Sequence, residues 1–292
     1  MSDYSIRDLE QLSGIKAHTL RIWEQRYSII NPKRTETNIR TYDDQDLKLV
    51  LNIALLKDYD YKISEIAKMS IEQINQEVVA ISDKKLSYPD QIHALTISMI
   101  DLDEERFEKI MSTNILQSGF ENTMINIIYP FLGRIGTLWV TGSIGPAQEH
   151  FITNLIRQKV IVAIDGQVFK RNEASKTFVL YCPEGETHEI SLLFATYILK
   201  SRNHKVIYFG QSLPFNELEF AYRIHKPDYI YGAITSSPGQ DEIQNYVTRL
   251  GSTFPECTIL LTGYQVVGQD IDCLPNTKIL TQARDLMEIA NA

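Results

Sequence analysis

The chain places a carboxylate and an imidazole two residues apart in one short polar turn. This is Cys182-Pro183-Glu184-Gly185-Glu186-Thr187-His188. A neutral imidazole can ligate a metal through one ring nitrogen while the other donates to a carboxylate, so Glu186-x-His188 is a metal-ligating pair with its own orienting group. His18, His93, His204 and His225 show no such spacing to any partner and read as surface or packing residues. Cys182, next to Pro183, reads as a small buried hydrophobe. No Ser-His-Asp arrangement, no GxxxxGK[ST] and no GxGxxG occurs, so neither nucleophilic hydrolysis nor a Gly-rich phosphate loop is supported.

The elements around the turn place it. Phe178–Tyr181 is a short β-prone run broken by Pro183 and Gly185. Ser191–Ser201 carries an apolar stripe of Leu192, Leu193, Ala195 and Leu199, and Val206–Phe209 is a second run closed by Gly210. Strand, polar loop, helix and strand make one βαβ unit, and ligands of open α/β sheets bind at the carboxyl ends of such strands. The alternation continues. Strands are predicted at Thr177–Tyr181, Lys205–Phe209, Tyr229–Ile234, Thr258–Thr262 and Lys278–Leu280. Helices are predicted at Glu189–Arg202, Phe215–His225, Gln240–Phe254, Gln265–Asp270 and Arg284–Asn291. Residues 175–292 are thus read as a doubly wound parallel α/β domain.

Upstream, Gln91–Ile100, Asp103–Leu116, Gly119–Val140 and Pro146–Val168 read as four helices with short breaks, a four-helix bundle over 88–170. Ile71–Ser87 is polar and reads as a helix tail plus linker.

The N-terminal part differs in charge. Residues 1–70 balance 11 basic against 11 acidic side chains, and the remainder, 18 against 26, carries the whole net charge of −8. Within Lys16–Arg40 six basic residues face two acidic ones. Only this segment suits a polyanion. Tyr4–Leu12, the turn Ser13-Gly14 and a basic helix Lys16–Tyr27 form a helix-turn-helix pattern. Lys33–Tyr42 reads as a two-stranded wing, and helices Gln45–Lys57 and Ile63–Ser70 follow. Lys16, His18, Thr19, Arg21 and Arg26 lie on the exposed side of the second helix, and Arg34, Arg40 and Tyr42 on the wing suit phosphate contacts.

Three cysteines without CxxC spacing point away from a disulfide framework and toward a reducing cytoplasm. No apolar run reaches the ~20 residues of a membrane span, and the first residues show no signal-peptide pattern.

The first segment resembles the DNA-binding domain of the MerR family of transcriptional regulators. The matching residues are Tyr4-Ser5-Ile6-Arg7-Asp8-Leu9, Thr19–Tyr27, Pro32-Lys33-Arg34 and Arg40-Thr41-Tyr42. The resemblance implies a winged helix-turn-helix over 1–75 that binds double-stranded operator DNA. No long heptad run follows Ser70, so self-association into a dimer or tetramer is expected to come from the later domains.

Residues 175–292 resemble the cobalamin-binding domain shared with methionine synthase. That family's acidic-x-His-x-x-Gly, Ser-x-Leu and Gly-Gly motifs correspond here to Glu186-Thr187-His188-Glu189-Ile190-Ser191, Thr235-Ser236-Ser237 and Gly263-Tyr264. Trp139, nine residues and then Glu149-His150 match the spacing of the light-sensing, cobalamin-dependent MerR-type repressors of the CarH and LitR group. These resemblances imply adenosylcobalamin with His188 as the lower cobalt ligand. They imply Trp139, Glu149 and His150 at its upper face, and Glu186, Thr235, Ser236 and Gly263 around its lower side. Ser191 and Tyr264 stand where that family has glycines that let the nucleotide tail approach the backbone. Two readings therefore stand open: a cobalamin and light sensor, or a regulator whose closed tail pocket binds no corrinoid and serves oligomerisation or another ligand. A methyltransferase module is disfavoured, because the only other domain is of the DNA-binding type.

Overall fold

The structure is a computed structural model. It describes residues 4–35, 37–82, 88–140, 144–168, 170 and 172–291, with the description limited to the backbone at 79–82 and 137–140. It divides into two compact units, Met1–Leu155 and Ile156–Ala292.

The first unit begins with α1 (Ile6–Ser13) and α2 (Ala17–Tyr27). Ser5 and Asp8 form a reciprocal capping box that starts α1, and Gly14 at φ +74° ends it. The helix α2 has no side-chain cap of its own. Its first amide, on Ala17, donates instead to the Glu10 carboxylate of α1 at 3.0 Å, and Lys16 Nζ reaches the same carboxylate at 3.0 Å. The wing pairs β1 (Lys33–Arg34) with β2 (Arg40–Thr41). An isolated antiparallel bridge joins Tyr4 to Tyr42, both fully packed, so the chain's start and the wing's end close one small core with Leu9, Leu12, Leu20, Trp23 and Ile30.

A second capping box, Asp43 with Asp46, starts α3 (Asp44–Asp58). Every residue from Val50 to Leu56 in α3 is buried, so the helix is covered on all sides rather than along one stripe. It packs against α1, the short α4 (Ile63–Ile66), α5 (Ile71–Ser82) and α6 (Tyr88–Asp101). The predicted helix Ile63–Ser70 is thus only one turn long. The stretch read as a helix tail and linker contains the full helix α5, which buries Ile74 and Val78. Its apolar residues are too sparse among polar ones to stand out, and contact with α3 decides it.

The bundle continues with α7 (Glu104–Ser118), α8 (Phe120–Thr123), a π-helical segment (Met124–Ile128), α9 (Tyr129–Val140) and α10 (Pro146–Asp165). The predicted single rod Gly119–Val140 is thus interrupted. Pro130 has no N–H to give to the preceding turn, and the Tyr129 amide reaches back five residues to Met124. The helix α10 ends three residues before the predicted Val168.

The second unit is built on a five-stranded parallel sheet. Its strands are β3 (Thr177–Pro183), β4 (Lys205–Leu213), β5 (Tyr229–Ala233), β6 (Thr258–Thr262) and β7 (Thr277–Ile279). Their order is β4-β3-β5-β6-β7, with α11 (Ile190–Ser201), α12 (Phe215–His225), α13 (Gln240–Thr253) and α14 (Ala283–Asn291) between and after them. The doubly wound reading holds. The order reverses between β3 and β5, which is the switch point where such sheets open a crevice. Two details differ from expectation. β4 does not close at Gly210 but runs on to Leu213 through a register shift, with Gly210 at φ +76° inside it. Residues Gln265–Asp270 form turns rather than a helix; Gly268 takes φ +74° in the middle of them.

His204, expected as surface or packing, is buried. Its Nδ1 accepts from the Lys176 amide at 3.1 Å and its Nε2 donates to the Ala290 carbonyl at 2.7 Å, which fixes the tautomer and ties α14 to the sheet.

Candidate functional site

The loop after β3 and the loop after β5 flank the switch point, and Glu186 joins them. Its side chain is fully buried. Oε2 accepts from the Thr235, Ser236 and Ser237 amides at 2.7, 2.5 and 3.2 Å. Oε1 accepts from the His188 amide at 2.9 Å and meets His188 Nδ1 at 2.6 Å. The Ser236 hydroxyl lies 3.2 Å from both oxygens. Burial by itself pushes this carboxyl up. The His188 ring and the Ser236, His188 and Thr235 amides outweigh it and hold Glu186 well below the usual carboxylate range.

With Nδ1 on Glu186, the ring nitrogen not held by that carboxylate is Nε2, on a side chain 59% exposed. A buried, multiply held carboxylate orienting an exposed imidazole is the carboxylate–histidine arrangement of metal sites. The donor set therefore fits a metal-centred cofactor taken through His188. Glu186, His188, Thr235 and Ser236, singled out in the sequence, are brought together. Thr235 takes part through its amide.

Further residues support this loop and were not found from sequence. The carbonyl of Glu186 accepts from the Ser212 amide at 3.0 Å, and Ser212 Oγ accepts from the Gly185 amide at 3.0 Å. These contacts explain why β4 extends beyond Gly210. Glu189, next to His188 and buried, accepts from Arg157 Nε at 2.5 Å and from the Tyr208 hydroxyl at 2.6 Å. Burial and that hydrogen bond push the Tyr208 phenol up. Burial, with Glu186 and Glu189 nearby, raises the Cys182 thiol to about 12, so it is an inert packing group, as expected. Arg157, Glu189 and Tyr208 stand 32 and 19 residues apart, and no local pattern signals them.

The two positions that departed from the glycine pattern are now explicit. Gly263 has φ +109°, and a Cβ there would lie 2.2 Å from the Ile234 carbonyl oxygen. Its lack of a side chain is required by the chain itself, where the β6 loop crosses the end of β5. Tyr264 is 71% exposed and its ring turns to the outside. Ser191 is half-buried in the first turn of α11.

In the bundle, Glu149 and His150 lie near the start of α10, with His150 Nδ1 2.9 Å from Glu149 Oε2 and the imidazole exposed. The Trp139 side chain lies outside the described residues.

On the helix-turn-helix, Lys16, His18, Arg21 and Arg26 are exposed and Thr19 is half-buried on α2. The wing corrects the expectation. Tyr42 is 2% exposed, with its phenol pushed up by burial; it is a core residue closing on Tyr4 and has no surface for a phosphate. Arg40 forks onto Glu24 of α2 at 2.8 and 3.2 Å, and Arg34 Nη2 lies 3.6 Å from the same carboxylate. Arg40 thus fastens the wing to α2 before any DNA arrives. Arg34 is exposed and donates from Nη1 to Asn38 Oδ1 at 2.9 Å.

One chain thus carries a helix-turn-helix with a basic outer face, a helical bundle and a parallel sheet with an oriented histidine at its switch point, the parts of a DNA-binding regulator with a ligand-binding-type domain. Residues 4–71 match the MerR HTH family regulatory protein model, and residues 91–163, from α6 into α10, match the B12 binding domain model. The chain is a MerR-type helix-turn-helix regulator carrying a B12-binding domain. It is 25% identical over 258 residues to the HTH-type transcriptional repressor CarH of Myxococcus xanthus, covering 86% of this chain and 85% of that one. It is 26% identical over 228 residues to CarA of the same organism, covering 77% and 74%. The monomethylamine corrinoid protein of Methanosarcina barkeri shares the fold, with a TM-score of 0.55 at 12% identity over 70% of this chain and 98% of that one. No helix among the described residues is long and apolar enough to cross a membrane.

Proposed function

We propose that this protein is a cytoplasmic transcriptional repressor that binds operator DNA through α2 and the wing and senses adenosylcobalamin, and light through it, in its C-terminal half. The observation that carries the reading is the buried Glu186 holding His188 at the carboxyl edge of the sheet. Bound there, adenosylcobalamin supplies a light-cleavable cobalt–carbon bond.

The residues of this chain do the rest. Glu186 fixes the ring of His188 and would raise its basicity toward the cofactor's metal. Thr235, Ser236 and Ser237 fix Glu186, so the imidazole is oriented before ligation. Trp139, Glu149 and His150 would also contact the cofactor, and Gly263 keeps the β6 loop close to Ile234. Loading stabilises one arrangement of the chain by its differential affinity for that arrangement, and loss of the contact releases it. Self-assembly into a dimer or tetramer is the property so controlled. The outward ring of Tyr264 supports this reading over the one in which that ring closes the tail pocket.

The test is reconstitution with adenosylcobalamin in the dark, followed by gel filtration. A protein-bound visible cobalamin spectrum, shifted in His188→Ala and changed on illumination together with DNA affinity, is the expected result. A spectrum unchanged in His188→Ala removes the ligand assignment, and no co-eluting corrinoid removes the sensor reading while leaving the DNA-binding one.

A further inference from the structure

The helix α1 ends in the turn that sets the angle between the two helices of the DNA-binding motif. Its last carbonyls have no partners within the helix, and its own last turn carries no basic residue. The Gly14 amide meets the Glu10 carbonyl at 2.8 Å, and one turn earlier Ser13 Oγ adds a bond to the Leu9 carbonyl at 2.6 Å. The Leu12 carbonyl is met from elsewhere. Arg134 of α9, 122 residues further on, donates to it from Nη1 at 3.2 Å. A cation at a helix C-terminus is favoured by the dipole, and a charged donor makes the stronger hydrogen bond. His93 of α6 faces the same carbonyl. It is 6% exposed, and its Nδ1 has no partner. Burial and nearby Arg134, against Asp90 and a hydrogen bond to the Leu12 backbone, push its pKa down to about 4, so it stands neutral beside the guanidinium.

We propose that Arg134 is the positioning residue through which helix α9 holds the helix-turn-helix, and that displacement of α9 reaches the DNA-reading helices through it. Two further observations make the link stiff. Lys48 of α3 pairs with Asp101 at the end of α6 on another part of the interface. The helix α3 is buried on every side between the DNA-binding helices and the bundle. A packed interface of this kind moves between discrete arrangements rather than deforming smoothly. The same α9 carries Trp139. For the signal that would move α9, the inference rests on the cofactor reading above; for the hold of Arg134 on Leu12, it does not.

The experiment compares wild type, Arg134→Ala and Arg134→Lys as full chains, by amide hydrogen exchange at residues 13–20 without cofactor. The second measurement is affinity for a duplex that wild type selects from a random-sequence library, with and without adenosylcobalamin in the dark. Arg134→Ala is expected to exchange about tenfold faster in the turn, as loss of one charge-assisted hydrogen bond implies. Arg134→Lys, which still donates, is expected to restore most of the protection. Where wild type shows a cofactor-dependent change in DNA affinity, Arg134→Ala is expected to keep the bound cobalamin spectrum and lose that change. Exchange in the turn unchanged in Arg134→Ala, or the full change in DNA affinity retained, overturns the proposal. If wild type binds no corrinoid, the cofactor reading fails by itself, and the exchange result alone decides whether Arg134 positions the motif.

Discussion

The two functional regions use charge in opposite ways. The helix α2 shows its cations to solvent and hides Leu20 and Trp23 behind them. The loop after β3 buries the Glu186 carboxylate completely and leaves the imidazole of His188 at the surface. An exposed cationic face gains affinity by releasing counterions, so it is additive, salt-dependent and tolerant of single changes. A buried carboxylate that accepts from several amides is cooperative and intolerant, because each donor it leaves behind is stranded without water. One surface is tuned residue by residue; the other is assembled as a unit.

The largest effect expected from that difference is at Glu186. Glu186→Ala strands the Thr235 and Ser236 amides and should cost about 3–5 kcal/mol in urea unfolding of the second unit. The same group gives a pH signature. Its folded value is depressed, so its stabilisation is complete above its unfolded value of about 4.3 and is lost as pH falls toward the folded one. Wild type should therefore lose stability below about pH 4.3 more steeply than Glu186→Gln. Parallel acid profiles would break the comparison.

Next comes Gly263→Ala. The new methyl meets the Ile234 backbone and the residue must keep φ +109°, so a loss of about 1–3 kcal/mol is expected by thermal unfolding. An unchanged melting temperature would mean that the β6 loop yields easily.

Smaller still is the change on the exposed face. Arg21→Ala should weaken DNA binding evenly across sequences and lower the slope of log affinity against log salt by about 1. Tyr42→Phe should leave that slope as it is, because Tyr42 belongs to the core. A reduced slope in Tyr42→Phe would return this residue to the DNA surface.

The smallest effect belongs to Tyr264→Gly. Its ring is 71% exposed, so stability should stay within about 0.5 kcal/mol of wild type and corrinoid uptake should not rise. A gain in uptake would show that the ring closes the pocket after all.

Much of this molecule is legible along the chain. Capping boxes at Ser5–Asp8 and Asp43–Asp46, the Gly14 stop and the charge contrast of Lys16–Arg40 are local signals, and they mark the DNA-binding helices without any tertiary information. Glu186 and His188 are legible for the same reason, since two residues of one loop need no fold to be neighbours. The turns at Gln265–Asp270 read wrongly because their apolar spacing imitates a helix that Gly268 interrupts. The helix α5 went unread because its stabilisation comes from α3.

What the sequence determined by itself is the list of parts: a basic helix-turn-helix, a helical middle, alternating strands and helices, and an acid–histidine pair in a turn. What only the tertiary structure decided is what those parts hold. Tyr42 became core and Arg40 a tie to Glu24. Gly263 was claimed by Ile234, Glu186 by the β5 loop, and Leu12 by Arg134. The physical reason is that hydrogen bonding and burial are settled by distance in space. Partners 16, 49 and 122 residues apart leave no periodic trace in the order of the chain.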